Sequence, residues 1–390
     1  MIAALFWIAI GLLVYAQLGY PLLLAVLARA GVGRRRARAG GVSGARSPAE
    51  LPSVSLIVAA HAEEDVIVAK VGNARGLDYP RELLEIIVAC DGSPDATAER
   101  ARAAGADLVL ELPRGGKIRA QDAAVERSRG EILAFGDANA LWEPGALRAL
   151  VEPFREERVG YVCGRVSFAQ DPSDPGTNQE GLYWRYEMAI RSLESRLASV
   201  TAGNGAIYAT RRSTYIVVDE VMGHDLSFPF NMVKRGHRAL YAPAARAAEK
   251  MVPSIEGEFA RKRRMMSHAW PIVVRGGLLS PRGYSPLYAL MIVSHRLLRY
   301  AAPFLHLLAL GCNVALLGDG VVYVAIFAAQ LALLLSALLA PAVRPLSRTV
   351  ARPLLIARYY VLTNASIALG LLDWLVKGTP AGWTAPEGTR

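Results

Sequence analysis

The sequence predicts an α/β domain with an open, mostly parallel sheet, held at a membrane by apolar helices. Between residues 53 and about 250, short apolar segments typical of strands alternate with helical stretches, and several of the strands end in Asp or Gly. Long apolar segments precede and follow this part, and 53% of the 390 residues are hydrophobic. Sheets of this kind bind ligands at the carboxyl ends of their strands.

The N-terminal segment, residues 1–30, is predicted to be a membrane anchor. Residues 2–28 carry no charge and are long enough to cross about 30 Å of hydrocarbon. The segment lacks the basic start of a signal peptide, and its apolar run is too long for one. Arginines within residues 29–38 follow directly, so the positive-inside rule places the next part of the chain in the cytoplasm.

The α/β domain is assigned to residues 50–255, after a linker rich in Gly, Ser, Ala and Pro at 39–52. The segment "VSLIVAA" reads as a continuous buried strand, and later apolar segments follow the same pattern. The predicted strands are 54–60, 83–93, 107–112 and 131–139, and the predicted helices are 94–105 and 118–129.

The C-terminal third changes character. Residues 256–300 are predicted to form amphipathic interfacial helices, because basic residues alternate there with Trp and Met. Residues 301–376 are predicted to hold transmembrane helices, with a hairpin of spans at 304–317 and 321–340. The last apolar segment, 354–376, contains an Arg and an Asn, so it either spans the membrane or lies against the bundle. About four spans are expected in all, followed by a tail at 377–390.

Charge and cysteine content exclude some functions. The formal net charge is +10, and the basic residues cluster beside apolar segments, which favours a membrane surface and a pyrophosphate ligand over nucleic acid. No nucleic-acid-binding module is recognisable. Cys90, Cys163 and Cys312 are not spaced as metal ligands, which indicates a reduced compartment without structural disulfides.

Three acidic residues follow predicted strands or begin predicted helices. Asp91 could accept hydrogen bonds from a base or ribose, or could cap the next helix. Asp137 could hold Mg²⁺ or Mn²⁺ on a diphosphate, with Asn139 offering a carbonyl oxygen in place of a second carboxylate, or the two could form an ordinary polar turn. Asp225 could act as a general base, or could be a helix cap.

A basic cluster, "RKRR" at 261–264, follows these acids. Its cations could neutralise a leaving diphosphate, where negative charge develops as a sugar bond breaks. They could equally bind anionic lipids at the membrane surface, and both roles are compatible on different faces of one helix.

In this order the motifs resemble the family 2 glycosyltransferases, membrane enzymes with a cytoplasmic GT-A domain, such as bacterial polysaccharide synthases and ceramide glucosyltransferases. The resemblance covers roughly residues 50–310 and rests on seven motifs. They are "AAHAEEDVI" (59–67), "VACDGSPDAT" (88–97), "RGGKIRAQDAAV" (114–125), "FGDAN" (135–139), "TAGNGAIYATRR" (201–212), "GHDLSFPFNMVKRGHRALYAP" (223–243) and "RKRRM" (261–265).

Several residues depart from the family pattern. Asn139 replaces the second Asp of the Asp-x-Asp motif, and His224 replaces the acid that usually precedes the base. Arg261 and Met265 replace the Gln and Trp of a Gln-x-x-Arg-Trp motif that is typical of processive synthases, which leaves processive and single transfer both open.

The resemblance implies a GT-A fold and an inverting single displacement with Mg²⁺ or Mn²⁺ as cofactor. It implies a nucleotide-sugar donor, in particular a UDP-sugar, and a lipid or polysaccharide acceptor. The implied roles are nucleoside contacts for Glu63 and Asp91, a place in the same pocket for Lys117, metal and diphosphate binding for Asp137 with Asn139, base catalysis for Asp225, and stabilisation of the leaving diphosphate for Arg264 and Arg261.

The implied setting is the bacterial inner membrane, with membrane lipids as neighbours and a homo-oligomer or a synthase complex as assembly. Two alternatives stay open at this point. The chain could be a non-catalytic partner subunit of a synthase, as Asn139 suggests, or a nucleotidyltransferase, which would not need Asp225 in an acceptor loop.

Overall fold

The computed structural model describes residues 1–32, 51–169, 177–250, 255–342 and 348–379. Most of the predicted linker at 39–52, the arginines at 34–38 and most of the predicted tail lie outside the described residues. The predicted domain boundaries themselves stay predictions.

One mixed sheet of eight strands forms the centre of the described α/β part, in the order β3-β2-β1-β4-β7-β6-β8-β5. The first four strands in this order are parallel to one another, whereas β7 pairs antiparallel with β4 and β6. The strands are β1 (Val54–Ala60), β2 (Leu84–Asp91), β3 (Leu108–Leu112), β4 (Ile132–Asp137), β5 (Leu141–Trp142), β6 (Val159–Ala169), β7 (Ile207–Arg211) and β8 (Arg238–Lys250).

The predicted α/β fold with a mostly parallel sheet is confirmed, and the predicted strand ends lie close to the observed ones. All seven residues of β1 are buried, because helices cover both faces of the parallel part of the sheet. The helices of the described residues are α1 (Ile2–Arg29), α2 (Ile67–Arg75), α3 (Thr97–Ala103), α4 (Lys117–Arg127), α5 (Ala146–Val151), α6 (Thr177–Leu197), α7 (His224–Lys234), α8 (Ile255–Val274), α9 (Pro286–Ala315), α10 (Val321–Leu339) and α11 (Arg348–Lys377).

Within the described residues, four helical segments are long and apolar enough to cross a membrane, as the sequence predicts. They are α1, α9, α10 and the part of α11 from Pro353 to Lys377. The structure changes one detail. The segment 288–303, assigned to the interface, continues without a break into the predicted span at 304–317, through a π-helical stretch at Ile292–Leu297. Its basic residues therefore lie within α9 rather than in a separate helix.

Helix α8, the predicted amphipathic segment, packs along α11. Gly370 lets the two helices approach closely, since a Cβ there would lie 2.5 Å from the Cβ of Met266. The indole of Trp270 donates to the carbonyl of Ile367 at 3.0 Å. The C-terminal helix is thus tied to the helix that follows the α/β domain.

A buried polar cluster joins the α/β domain to α1 and α9. Glu194 on α6 is fully buried and accepts hydrogen bonds from the hydroxyl of Tyr20 at 2.6 Å and the backbone N–H of Thr201 at 3.1 Å. Its carboxylate also lies 2.8 Å from Nδ1 of His295. Burial disfavours the charge of Glu194, but His295 outweighs this effect and holds the pKa of Glu194 below its usual value.

Replacing Glu194 by Leu should destabilise the protein by about 3–5 kcal/mol, because it leaves the buried partners of the carboxylate unpaired. The measurement is thermal unfolding of the full chain in detergent. The matched control is Glu111→Gln, which breaks the exposed ion pair with Arg102 and should cost under about 1 kcal/mol. Equal unfolding temperatures for the two variants would contradict a structural role for the cluster.

Candidate functional site

The carboxyl ends of the central strands place the predicted acids at one edge of the sheet. In the parallel register Ala60 of β1 lies opposite Cys90 of β2, and Ala59 lies opposite Asp137 of β4. Asp91 and Asp137 therefore flank the end of β1. The sheet edge that the sequence predicts as the ligand crevice is the place where these carboxylates meet.

Asp91 holds the glycine loop that precedes α4. Its carboxylate accepts hydrogen bonds from the backbone N–H of Gly115 at 2.6 Å and of Gly116 at 3.0 Å, and from Nη1 of Arg114 at 3.0 Å. Gly116 has φ 98°, a value that favours glycine, and it directly precedes Lys117. Ala96 stands at the N-cap of α3, so the helix cap considered for Asp91 is not formed, and the N–H of Thr97 donates to Asp95 at 3.2 Å.

Lys117, the first residue of α4, forms an ion pair with Asp137. Both side chains are partly exposed, at 27% and 29%, so a ligand in the crevice could reach either of them. Burial opposes the charge of Lys117, but Asp137 outweighs it and keeps the pKa of the ammonium above its usual value. A cation thus already lies on the carboxylate that the sequence assigns to a metal and a diphosphate.

A buried lysine supports the turn at Asp137 from behind. Lys70 on α2 is 1% exposed, and its ammonium donates to the carbonyl of Ala140 at 2.6 Å. Burial lowers the pKa of Lys70 to about 8, although Asp137 and Glu249 act in the opposite direction. Asn73, one turn further along α2, exchanges two hydrogen bonds of 2.8 Å with the backbone of Trp142. Helix α2 therefore fixes both ends of the segment from 140 to 142.

Glu249, near the end of β8, faces the same turn. Burial, and then the negative charge of Asp137, raise the pKa of Glu249 to about 7. Lys117, Lys70 and Arg261 act on the same carboxyl in the opposite direction. The carboxyl group is therefore part of the candidate site.

Sequence reasoning missed Lys70 and Glu249, although each leaves a signal. Lys70 interrupts the apolar face formed by Ile67, Val71 and Ala74, where a solvent-facing lysine would not be expected. Glu249 ends an alternating strand in which Ala245 and Ala247 are buried, so it points toward the same face as they do.

The predicted acceptor segment packs directly against the predicted base. The backbone N–H of Gly203 donates to the carbonyl of Asp225 at 2.6 Å, and the guanidinium of Arg191 donates to the carbonyl of Gly203 at 3.0 Å. Asp225 lies in the first turn of α7 and is half-buried. Gly205, two residues after Gly203, lies beside the Asp137–Lys117 pair, so the base candidate and the pair lie at one crevice.

Gly205 leaves room beside that pair. A Cβ there would lie 3.3 Å from Nζ of Lys117 and 3.9 Å from Oδ2 of Asp137. Any larger side chain would occupy the space in front of the carboxylate. The small residue in the acceptor segment thus keeps Asp137 accessible.

His224 is buried among aromatic rings, in agreement with a supporting role. Its Nδ1 lies 2.7 Å from the hydroxyl of Tyr208, and its ring stacks on Phe228 at 4.0 Å between centroids. Burial and the positive charge of Lys117 lower the pKa of His224 to about 3, so the imidazole is neutral at physiological pH. His224 stands where the family usually has an acid, and its neutral imidazole adds no charge to the site.

The basic cluster at 261–264 divides between two neighbours. Lys262 donates to Thr363 at 3.2 Å, and Arg263 forms a two-point ion pair with Asp373 at 2.5 and 2.8 Å, so both bind α11.

The other two residues of the cluster are Arg261 and Arg264. Arg261 pairs with Glu258 at 2.6 Å, and its charge acts to lower the pKa of Glu249. Burial and the charge of Arg261 lower the pKa of Arg264. Arg261 and Arg264 are thus neighbours on α8, and Glu258 of the same helix holds the guanidinium of Arg261.

Glu63 lies in the loop after β1 and is 3% exposed. Its backbone N–H donates to the hydroxyl of Thr97 at 2.9 Å. The loop is thereby fixed to the start of α3, on the Asp91 side of the crevice. The structure brings Asp91, Lys117, Asp137 and Asp225 to one crevice, with Glu63 at its side, whereas Arg261 is paired with Glu258 on α8. The roles of all these residues stay predictions.

The donor atoms around Asp137 suit a hard divalent cation. Carboxylate and amide oxygens are the ligands that Mg²⁺ and Mn²⁺ prefer, and Asp137 and Asn139 offer both kinds. The space beside Gly205 leaves access to Asp137. In the part of the chain that the structure describes, no three His, Cys, Asp or Glu side chains form a ready-made metal cluster. A metal here would depend on few protein ligands and on oxygens of its substrate.

Part of this chain is similar to known proteins. Residues 55–213 match the model of glycosyl transferase family 2. An N-acetylglucosaminyltransferase of Neorhizobium galegae is 27% identical over 236 residues, which cover 55% of this chain and 54% of the relative. A beta-monoglucosyldiacylglycerol synthase of Trichormus variabilis is 33% identical over 151 residues, or 37% of this chain and 31% of the relative. The chain thus matches about half, or less, of the length of these relatives.

A solved structure shares the fold over almost the whole chain. The mannosyltransferase PcManGT from Pyrobaculum calidifontis, in complex with GDP-Man and Mn²⁺, superposes with a TM-score of 0.67 at 23% identity. The alignment covers 95% of this chain and 99% of that protein. At this identity the likeness establishes the common GT-A architecture of the α/β domain and its helical C-terminal part.

Proposed function

We propose, since residues 55–213 are a glycosyltransferase family 2 domain, that the protein is a membrane-bound inverting glycosyltransferase. It would move a sugar from a nucleotide-sugar donor to a lipid or a growing polysaccharide. The observation that carries the proposal is the acceptor segment at 201–212, in which Gly203 contacts Asp225 while Gly205 lies beside the Lys117–Asp137 pair. The general base and the diphosphate-binding pair would thereby serve one crevice.

The reaction is a single displacement. The oxygen of an acceptor hydroxyl bonds to the anomeric carbon, and the bond from that carbon to the diphosphate oxygen breaks. Asp225 takes the hydroxyl proton, and the nucleoside diphosphate leaves with the electron pair. The hydrogen bond from Gly203 to the backbone of Asp225 ties the base to the acceptor segment, so that base and acceptor are positioned together.

Asp137, with the amide oxygen of Asn139, would hold Mg²⁺ or Mn²⁺. When bound, the ion neutralises charge on the diphosphate. Lys117 would then be free to move from Asp137 to the diphosphate, because the ion replaces it as the counter-charge. Arg264, next to Arg261, would stabilise the departing diphosphate from the α8 side, whereas Lys262 and Arg263 hold α8 on α11.

The nucleoside would lie beside the loop after β1 and the glycine loop that precedes α4. Glu63 would contact the nucleoside. Asp91 would act partly through the loop, because its carboxylate fixes the backbone N–H groups of Gly115 and Gly116. A UDP-sugar is the donor that the proposal tests first.

The membrane is proposed as the place where the acceptor is met. Four helical segments of the described residues are able to span a bilayer, and Arg296 of α9 donates to the hydroxyl of Thr201 at 2.9 Å, so the acceptor segment contacts a membrane helix. A relative is named a beta-monoglucosyldiacylglycerol synthase, which suits a lipid acceptor. The α/β domain would lie on the cytoplasmic side of a bacterial inner membrane, as a homo-oligomer or in a synthase complex.

A donor and acceptor panel tests the proposal. The full chain in detergent is incubated with UDP-glucose, UDP-N-acetylglucosamine and GDP-mannose, with and without diacylglycerol or a glycolipid, in Mn²⁺ or Mg²⁺. We expect release of nucleoside diphosphate from one donor, only with a metal, and a product of increased mass by mass spectrometry.

Two outcomes would contradict the proposal. Release of sugar 1-phosphate, with the nucleoside monophosphate transferred to the acceptor, would favour a nucleotidyltransferase. Donor binding by calorimetry without turnover, on every acceptor and also with a polysaccharide fraction, would favour a non-catalytic partner of a synthase. Because the family resemblance leaves both processive and single transfer open, the product length is read from the same mass spectra.

A further inference from the structure

The register of the sheet brings Glu249 beside the metal turn. Strands β5 and β8 pair antiparallel, with Trp142 opposite Ala247 and Leu141 opposite Ala248. Continuing this register by one residue places Glu249 alongside Ala140, which directly follows Asn139 in the chain. Since residues two apart on a strand share a face, Glu249 points toward the same side as Ala247, whose neighbours include Trp142 and Ala140 in the core.

The charges at the turn agree with this position. Asp137 and Glu249 both favour the charged forms of Lys70 and Lys117, and Asp137 raises the pKa of Glu249. Lys70 is itself anchored to the carbonyl of Ala140 at 2.6 Å. Two carboxylates from distant parts of the chain therefore converge on the turn at 137–140.

We propose that Glu249 supplies, from β8, the second carboxylate that the turn lacks at Asn139, and that it is a ligand of the divalent cation on the donor's diphosphate. A site with Asp137 alone would hold a dication with one negative charge. With Glu249 the protein again offers two carboxylates, and Asn139 adds a neutral oxygen. The inference rests on the proposed function, because that function brings the cation and the diphosphate to Asp137.

The charges around the turn allow the two carboxylates to change partners from lysine to a cation. In the crevice Lys70 and Lys117 oppose the charges of Asp137 and Glu249. A dication bound together with a diphosphate brings almost no net charge, so both carboxylates can turn to the ion while Lys117 turns to the phosphates. Lys70 is buried and stays bound to Ala140. The alternative role for Glu249 is only to neutralise Lys70 and Arg261, and in that case the cation would not depend on it.

The test moves the carboxylate between the two positions. Binding of Mn²⁺ alone is measured by electron paramagnetic resonance on the full chain in detergent, without donor. Glu249→Gln should weaken Mn²⁺ binding at least about tenfold, because even the loss of a group that only supports a metal ligand typically costs that much. Asn139→Asp should strengthen it. The double variant Asn139→Asp/Glu249→Gln should return to within about threefold of the unmodified protein.

Controls separate ligation from folding and from simple charge. Glu143→Gln removes an exposed carboxylate that faces Arg246 on the neighbouring strand segment, and it should leave Mn²⁺ binding unchanged. Thermal unfolding shows whether each variant is folded, and Glu249→Asp should keep part of the affinity. Unchanged Mn²⁺ binding in folded Glu249→Gln, or a double variant that stays as weak as Glu249→Gln, would overturn the inference.

The same measurements distinguish failure of this inference from failure of the proposed function. Sugar transfer that proceeds without any divalent cation would refute the role of Glu249 and leave glycosyl transfer standing. Mn²⁺ binding that follows the carboxylate from 249 to 139, in a chain that transfers no sugar to any acceptor, would support the inference and refute the proposed function.

Discussion

Replacing Asp225 by Asn is expected to abolish sugar transfer while donor binding stays nearly intact. The amide keeps the shape of the side chain but cannot take the proton of the acceptor hydroxyl. Loss of a general base lowers turnover by about 10²–10⁴-fold. The fold at this position should survive, because Gly203 donates to the backbone carbonyl of Asp225, which the substitution does not change.

The measurement is initial-rate release of nucleoside diphosphate, beside donor affinity by calorimetry. Asp219→Asn is the matched control, since Asp219 is an exposed acid in the segment before α7 and its carboxylate accepts only a local backbone bond from Val221 at 3.1 Å among the contacts described. Full turnover in Asp225→Asn would exclude Asp225 as the base and would leave the deprotonation of the acceptor to another group.

Replacing Asp137 by Ala is expected to remove both turnover and the metal-dependent part of donor binding. The carboxylate is paired with Lys117 and lies beside the space left by Gly205, so its removal takes away the main anionic group that a cation can bind there. Turnover should fall at least about 10²-fold, as for the loss of other electrostatic stabilisers at a reacting centre.

Donor affinity is measured for Asp137→Ala with Mn²⁺ and with chelator. The expected result is one weak affinity under both conditions, whereas the unmodified protein binds more tightly with Mn²⁺. Asp78→Asn, which only weakens the exposed ion pair with Arg148, serves as control and should behave as the unmodified protein. A donor affinity that still responds to Mn²⁺ in Asp137→Ala would contradict the assignment of this turn.

The two variants should differ in donor binding. Asp225→Asn should lower turnover but not donor affinity, whereas Asp137→Ala should lower both. If the two variants lost donor binding equally, the crevice would be collapsing as a unit. That result would assign Asp225 to the structure of the acceptor segment through its contact with Gly203.

Local patterns in the sequence were sufficient for the strands and the membrane helices. Residues 54–60 are a continuous apolar run, and such a run is stable only as a strand covered on both faces. The apolar stretches of α1 and α10 are likewise recognisable without any partner, because their length alone suits a bilayer. The arginines and the histidine in the first half of α9 indicate an interfacial segment, whereas the structure has one continuous helix from Pro286 to Ala315.

The roles of charged residues depended on partners far away in the chain. The cluster at 261–264 reads as one basic patch, but Arg263 is paired with Asp373, 110 residues later, and Lys262 contacts Thr363. Asp91 reads as a nucleoside ligand or a helix cap, and in the structure its carboxylate holds the loop at Gly115 and Gly116. No local periodicity encodes either pairing.

The sequence by itself determined the order of the strands and spans along the chain and the acidic residues that follow the strands. Burial patterns and segment lengths are visible in neighbouring residues. Only the tertiary structure decided what completes the site. Lys70 and Glu249 reach the turn at Asp137 from α2 and β8, and the order of strands in the sheet, not any motif, makes them neighbours. Asn139 reads in the sequence as a missing ligand. In the proposed site it is joined by the carboxylate of Glu249, which lies more than a hundred residues further along the chain.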